Sequence, residues 1–306
     1  MITLSNLLYR LPGGVAQGLI WGIMALGIYI TFRVLSVSDL TVDGSFTTGG
    51  AVTIMCILAG VNPILALLIS FLVGILTGVV TGLIHTKLKI PAILAGILVQ
   101  FGLYSINLHI MNMSANVSAN PDRFNLLISM RDVPNAILIG IILSIVHIIV
   151  LYWYFGTEQG SAIRATGNNN NMALAQGINI NNMKVIGFGI GNGIVALAGG
   201  LMAQYQGFAD INMGRGAIVI GLAAIIIGEV VINFIFKKGC SFYTRLASVI
   251  IGGIIYYAAM VFILWLRIDS NDLKLFTAII VTIFLAIPNL NIKKGGKQNV
   301  KNWKNF

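Results

Sequence analysis

Few side chains in this sequence are equipped for chemistry, and the acids are the most informative of them. Asp39, Asp43, Asp210 and Glu229 lie in or beside apolar stretches, where an ionisable group is costly unless it is paired, hydrogen-bonded or set on an aqueous path. Asp39-Leu40 and Asp210-Ile211 are both acid–aliphatic pairs, and a glycine follows each aspartate after eleven residues, at Gly50 and Gly221. Gln100, Tyr104 and Asn107 recur at helical spacing and so share one face of a helix. Two roles fit that stripe: hydrogen bonding between helices, and lining a solute path. His85, His109 and His147 lack metal spacing, and Cys56 and Cys240 fall at separate apolar runs, so no metal or disulfide framework is expected. No nucleophile elbow and no His-Glu-x-x-His string occurs. The Gly296-Lys297 step continues into Gln298, not the Ser or Thr of a phosphate loop. These residues point to binding and passage, not to covalent catalysis.

Composition says what must position them. The 306-residue chain is 57% hydrophobic and 9% charged, with a mean hydropathy of +0.92, whereas soluble domains carry about 25% charged residues. Crossing a bilayer takes about 20 apolar residues. Candidate runs lie near 12–32, 45–60, 63–85, 91–111, 135–155, 184–205, 215–236, 243–266 and 273–289. The expectation is an all-α polytopic membrane protein with about nine transmembrane helices, a membrane domain over 1–290 and a basic tail over 291–306. The first run is longer than a signal-peptide core and reads as a retained helix. The run at 45–60 is short and opens Thr47-Thr48-Gly49-Gly50, so it reads as a broken helix.

The net charge of +10 is topology information rather than a nucleic-acid surface. Lys293, Lys294, Lys297, Lys301 and Lys304 sit in the tail, and most other cations flank apolar runs. His85–Lys89, 156–183, Lys237–Arg245 and the tail gather most of the lysines on one side. Loops 112–134, 206–214 and 267–272 are nearly balanced. The positive-inside rule then puts the C-terminus in the cytoplasm and the N-terminus outside. On this topology the helices after Asp39 and Asp210 run in opposite directions, as in an inverted repeat of discontinuous helices. Chance similarity of two short glycine-rich strings is the competing account. Glu229, eight residues before Lys237, falls near the cytoplasmic headgroups, and a proton-coupling role is its minor reading.

Small residues recur every four positions at Gly74, Gly78 and Gly82, beside Thr77 and Thr81, and every three or four at Gly189, Gly193, Ala196 and Gly200. Such stripes let helix backbones approach closely, within one bundle or between subunits. Residues 156–183 are too polar to span. A short helix over Ser161–Thr166 is expected to stop at Gly167. A second, capped from Asn168–Asn171, is expected to run through Met172 and Leu174 to Gly177. Two short helices of this kind make a knob on the cytoplasmic face.

The stretch Thr157-Glu158-Gln-Gly160-Ser-Ala-Ile-Arg164-Ala165-Thr-Gly167-Asn, followed by Ala175-Gln-Gly177-Ile178, resembles the cytoplasmic coupling segment of ABC-importer permeases of the branched-chain amino acid and ribose family. Asp39-Leu-Thr41-Val-Asp43-Gly-Ser45 and Ala203-Gln204-Tyr-Gln206-Gly-Phe-Ala-Asp210 resemble a subgroup paired with tryptophan/tyrosine-type or uncharacterised solute-binding proteins. The asparagine-rich turn at Asn168–Asn171 and the lysine tail depart from the family pattern.

The resemblance implies a vitamin B12-importer-like permease fold in a bacterial cytoplasmic membrane. It implies two permease subunits around a central path, a cytoplasmic ATPase dimer that carries ATP-Mg, and an external solute-binding protein facing loops 112–134 and 206–214. No cofactor is expected in this chain. Thr157, Glu158, Gly160, Arg164, Ala165, Gly167 and Gly177 would couple to the ATPases. Asp39, Thr41, Asp43, Ser45, Gln100, Asn107, Gln204, Gln206 and Asp210 would form the path or its gates, for a small solute that is first guessed to be an amino acid. The competing reading is an ion- or proton-coupled secondary transporter using Glu229 or the paired aspartates.

Overall fold

The computed structural model describes residues 4–121, 123–235 and 241–266, together with positions 275, 276, 278, 279 and 282. The basic tail, Cys240 and most of the ninth expected run lie outside the described residues. Helix α1 (Leu4–Tyr29) ends in a π-helical turn, Ile30–Val34. It is followed by α2 (Val42–Leu58), α3 (Pro63–Lys87), α4 (Ala92–Ile110) and α5 (Val133–Gly156). Two short helices, α6 (Glu158–Asn168) and α7 (Asn170–Ala175), precede α8 (Ile180–Gln206), α9 (Ala217–Ile235) and α10 (Phe242–Trp265). Seven of these helices are long and apolar enough to cross a membrane, and α2 is a shorter apolar helix. The chain is an all-α polytopic membrane protein.

The expected break at 33–60 is present, but it is not at the glycines. Residues 35–41 are non-helical, whereas α2 runs unbroken through Gly49 and Gly50. Those glycines serve packing: a Cβ on Gly49 would overlap the carbonyl oxygen of Ala196 on α8. The stripe on α3 does the same, because Cβ atoms on Gly74 and Gly78 would overlap Ala196 and Phe188 of α8 and one on Gly82 would press on Val185. Gly189 and Gly193 return the contact toward Ile75 and Phe71. The small-residue faces therefore join α3 to α8 inside one bundle.

The chain gathers its connections at two ends. At one end, α6 lies against the end of α1, so that a Cβ on Gly167 would overlap the Val34 carbonyl. This explains a departure from expectation: Gly167 does not stop α6, which continues to Asn168, but permits that approach. Asn169 then caps α7 by accepting from the N–H groups of Asn171 and Met172 at 3.0 and 3.2 Å. Met172 and Leu174 are exposed on this knob.

At the other end, two three-residue strands pair antiparallel, β1 (Asn116–Ser118) with β2 (Phe208–Asp210), in the register Asn116↔Asp210. This ribbon ties together the two loops expected to face a binding protein. Gln204 completes the tie. Its amide accepts from Leu127 N–H at 3.0 Å and donates to the Pro63 carbonyl at 3.3 Å.

Candidate translocation groove

Two helices begin inside the bundle rather than at its surface. The 35–41 segment descends from the α6–α7 end and delivers α2, whose Ser45 meets Asn192 near the middle of α8. Residues 211–216 descend from the ribbon end and deliver α9, whose Gly221 packs on Met24 and Ile28 of α1. Both descents start on the same local turn. Asp39 Oδ1 accepts from Thr41 N–H at 2.9 Å, and Asp210 Oδ1 accepts from Asn212 N–H at 2.8 Å. The two matching acid–aliphatic pairs thus open equivalent non-helical descents, one from each end, as in discontinuous-helix transporters.

The helix starts meet at Asp43. Its two carboxylate oxygens accept from the N–H groups of Gly216 and Ile218, at 2.9 and 3.0 Å, and so cap α9 from across the bundle. A helix N-terminus carries unsatisfied N–H groups and positive potential, and Asp43 answers both. Thr47 adds a second tie, its hydroxyl accepting from Gly214 N–H at 3.1 Å.

Behind this junction lies a buried polar chain. Asp39 Oδ2 accepts from the Asn192 amide at 2.6 Å. The Ser45 hydroxyl donates to Asn192 Oδ1 at 2.7 Å and lies 2.8 Å from the Thr77 hydroxyl. The hydroxyls of Thr41 and Thr81 lie 2.7 Å apart. All six side chains are buried, so Asp39, Thr41 and Ser45 hold α2 to α3 and α8 through saturated hydrogen bonds. Asn192 carries a legible signal of its own, an amide between Gly191 and Gly193 at the centre of a long apolar helix.

The expected α4 stripe faces the junction. Gln100, Tyr104 and Asn107 line a groove of about 340 Å³ with Phe101, Asp43, Gly44, Thr47, Ile211 and Arg215. Three expected path residues therefore come together here: Asp43, Gln100 and Asn107. Gln204, Gln206 and Asp210 do not reach the groove. Gln204 is fully buried in the loop tie, and Asp210 lies on β2. Arg215 was not anticipated, because it stands at the start of the expected apolar run 215–236, where a cation reads only as a flanking charge.

Glu229 is engaged elsewhere. Arg33, on the π-helical turn ending α1, donates from Nε to Glu229 Oε1 at 2.7 Å and from Nη2 to the second carboxylate oxygen. Both side chains are 25% exposed. This intermediate burial puts the pair between a surface bridge and a buried one, worth about 1–2 kcal/mol. Arg33→Glu and Glu229→Arg are each expected to lower the thermal midpoint in detergent. The double reversal should restore most of the loss, and a double variant no better than the singles would show that the charges act independently.

At the α6–α7 end, Arg164 is exposed, with its guanidinium carbon 5.7 Å from the centre of the Phe242 ring. It shares a surface pocket with Tyr152, Trp153, Thr157 and Ser241.

Comparison with known proteins decides the family. The family described as branched-chain amino acid transport system / permease component matches residues 11–287. The chain belongs to that family. It is a membrane-embedded permease of ABC importers, a transporter component rather than an enzyme. The permease is 40% identical to a tyrosine transport system permease protein of Clostridioides difficile (strain R20291) over 280 residues, 90% of each chain. It is 33% identical to an uncharacterised protein of Rickettsia prowazekii (strain Madrid E) over 274 residues, 88% of this chain and 94% of that one. No solved structure matches the permease.

Proposed function

We propose that this permease carries a free amino acid, of the aromatic class named for its Clostridioides relative, across a bacterial cytoplasmic membrane. Two cytoplasmic ATPase subunits drive it, and an external solute-binding protein loads it. The observation that carries this reading is the polar groove where two discontinuous helices meet. Asp43, Gln100, Asn107 and Arg215 line it on a side of the bundle where α4 also exposes Phe101 and Ile106. Polar groups at membrane depth facing lipid are costly. A second copy of the permease facing this groove would enclose them and complete a path between the subunits.

On this reading the α6–α7 knob is the cytoplasmic docking surface, the ribbon faces the binding protein, and the N- and C-termini lie outside and in the cytoplasm. Gly167 against Val34 places the knob directly on the segment that leads to Asp39, so a push on α6 would be transmitted to the start of α2. The secondary-transport alternative finds little support in the acids. Glu229 is paired with Arg33, and Asp39 and Asp43 are occupied by N–H donors.

Co-purification with the cognate ATPase tests the docking assignment. Arg164→Glu is expected to lower ATPase recovery about tenfold, the loss of one interfacial contact worth about 1.4 kcal/mol. Unchanged recovery and unchanged solute-stimulated ATP hydrolysis would overturn it.

A further inference from the structure

The end of α1 has an unusual backbone and is held from two sides. Leu35 N–H reaches back to the Ile30 carbonyl at 2.9 Å, closing the π-helical turn, and Ser36 then takes the left-handed conformation at φ +55°. A π turn and a left-handed non-glycine residue are both costly, and they persist where the surroundings hold them. One hold is α6, whose Gly167 leaves no room for a Cβ against the Val34 carbonyl and the Leu35 Cα. The other is α9, where Glu229 accepts from both Nε and Nη2 of Arg33. A cleft of about 440 Å³, lined by Ser36, Ser38, His85, Asn168 and Lys184 among others, opens beside the segment that follows and leaves it room to shift.

The second hold reaches the groove. Glu229 lies eleven residues along α9 from Ile218, about 17 Å of helix rise, and Ile218 is in the turn that Asp43 caps. Helix α9 is also locked to α10, since a Cβ on Gly228 would overlap the Ser248 carbonyl and one on Gly252 the Ala224 carbonyl. The two helices therefore shift as a pair. We propose that the Arg33–Glu229 pair is the link that carries a displacement of α6 to α9. The docking helix then works both discontinuous helices at once, α2 through the 35–41 chain and α9 through the ion pair. The inference rests on the docking assignment of α6 and adds a second arm to it. Neither residue lines the groove, and each acts by position. Arginine suits that task, because its fork holds a carboxylate through two N–H groups and so fixes orientation as well as distance. Without the pair, a push at Val34 is absorbed by the π turn, and the chain still draws α2 while α9 stays behind. Asp43 and Gln100 would then move on one wall of the groove without Arg215, which precedes α9, on the other.

The test compares transport with ATP hydrolysis in the same proteoliposomes, which hold the permease, its cognate ATPase and its binding protein, with radiolabelled L-tyrosine as the solute. Arg33→Gln and Glu229→Gln should assemble with the ATPase and hydrolyse ATP within about twofold of the unsubstituted complex, while uptake per ATP hydrolysed falls about tenfold, the size of an ordinary coupling between sites. The exchange Arg33→Glu with Glu229→Arg should recover most of that ratio. A pair that only holds the fold together would lower assembly, hydrolysis and uptake in parallel. That parallel loss, an unchanged ratio in both single variants, or no recovery in the exchange would each overturn the link. Uptake by the unsubstituted importer is scored first. Its absence would overturn the importer reading and the link with it, whereas normal uptake with an unchanged ratio in the variants would overturn the link alone.

Discussion

Gly49→Val abolishes the folded permease. A Cβ at this position would overlap the Ala196 carbonyl oxygen, part of the rigid backbone of α8, so no side-chain rotation relieves the clash. The only remedy is to move α2 away from α8. That separation would break the hydrogen bonds of Asn192 to Ser45 and Asp39 and leave polar groups orphaned at membrane depth. Overpacking alone costs about 1–3 kcal/mol, and the orphaned groups raise the total above about 4 kcal/mol. That is among the largest effects a single substitution produces. The expected result is loss of a monodisperse peak in size-exclusion chromatography after detergent extraction. Gly102→Val is the control, since a Cβ at Gly102 meets nothing within 4 Å. It should extract normally, and an equal loss from both variants would assign the effect to insertion rather than to the α2–α8 approach.

Asp43→Ala is the second large effect, and it separates stability from transport. The carboxylate joins the start of α2 to the start of α9 across 173 and 175 residues of sequence. Its removal orphans the N–H groups of Gly216 and Ile218 and cancels the charge facing the α9 N-terminus. Two charge-assisted hydrogen bonds lost from a helix cap cost about 2–4 kcal/mol. Asp43→Asn keeps one acceptor oxygen and should recover about half of that. In transport the two variants should both be severely impaired, because the 211–216 segment that positions Arg215 depends on this anchor. A fully active, fully stable Asp43→Ala permease would refute the junction.

The bundle was largely legible from residue pattern, because membrane spans are written in local composition. Among the described residues, seven of the expected runs are spanning-length helices. The two surface helices were also readable, since caps such as Asn169 act over two or three residues. The features that make the groove were not local. The Asp43–Gly216 contact joins residues 173 positions apart, and no periodicity marks such partners. The ribbon strands are three residues each, too short to show alternation. The α4 stripe was readable, but the choice between hydrogen bonding across helices and lining a path rests on what faces it, and the stripe itself cannot show that. Arg215 carries no local signature. Only the descent of its loop into the bundle gives it a role.

Uptake into proteoliposomes containing the permease, its cognate ATPase and its binding protein tests the central claim most directly. The account predicts accumulation of radiolabelled L-tyrosine that requires ATP hydrolysis and the binding protein and is lost with Arg164→Glu. Uptake by the permease alone, driven by an ion or proton gradient without the ATPase, would contradict it.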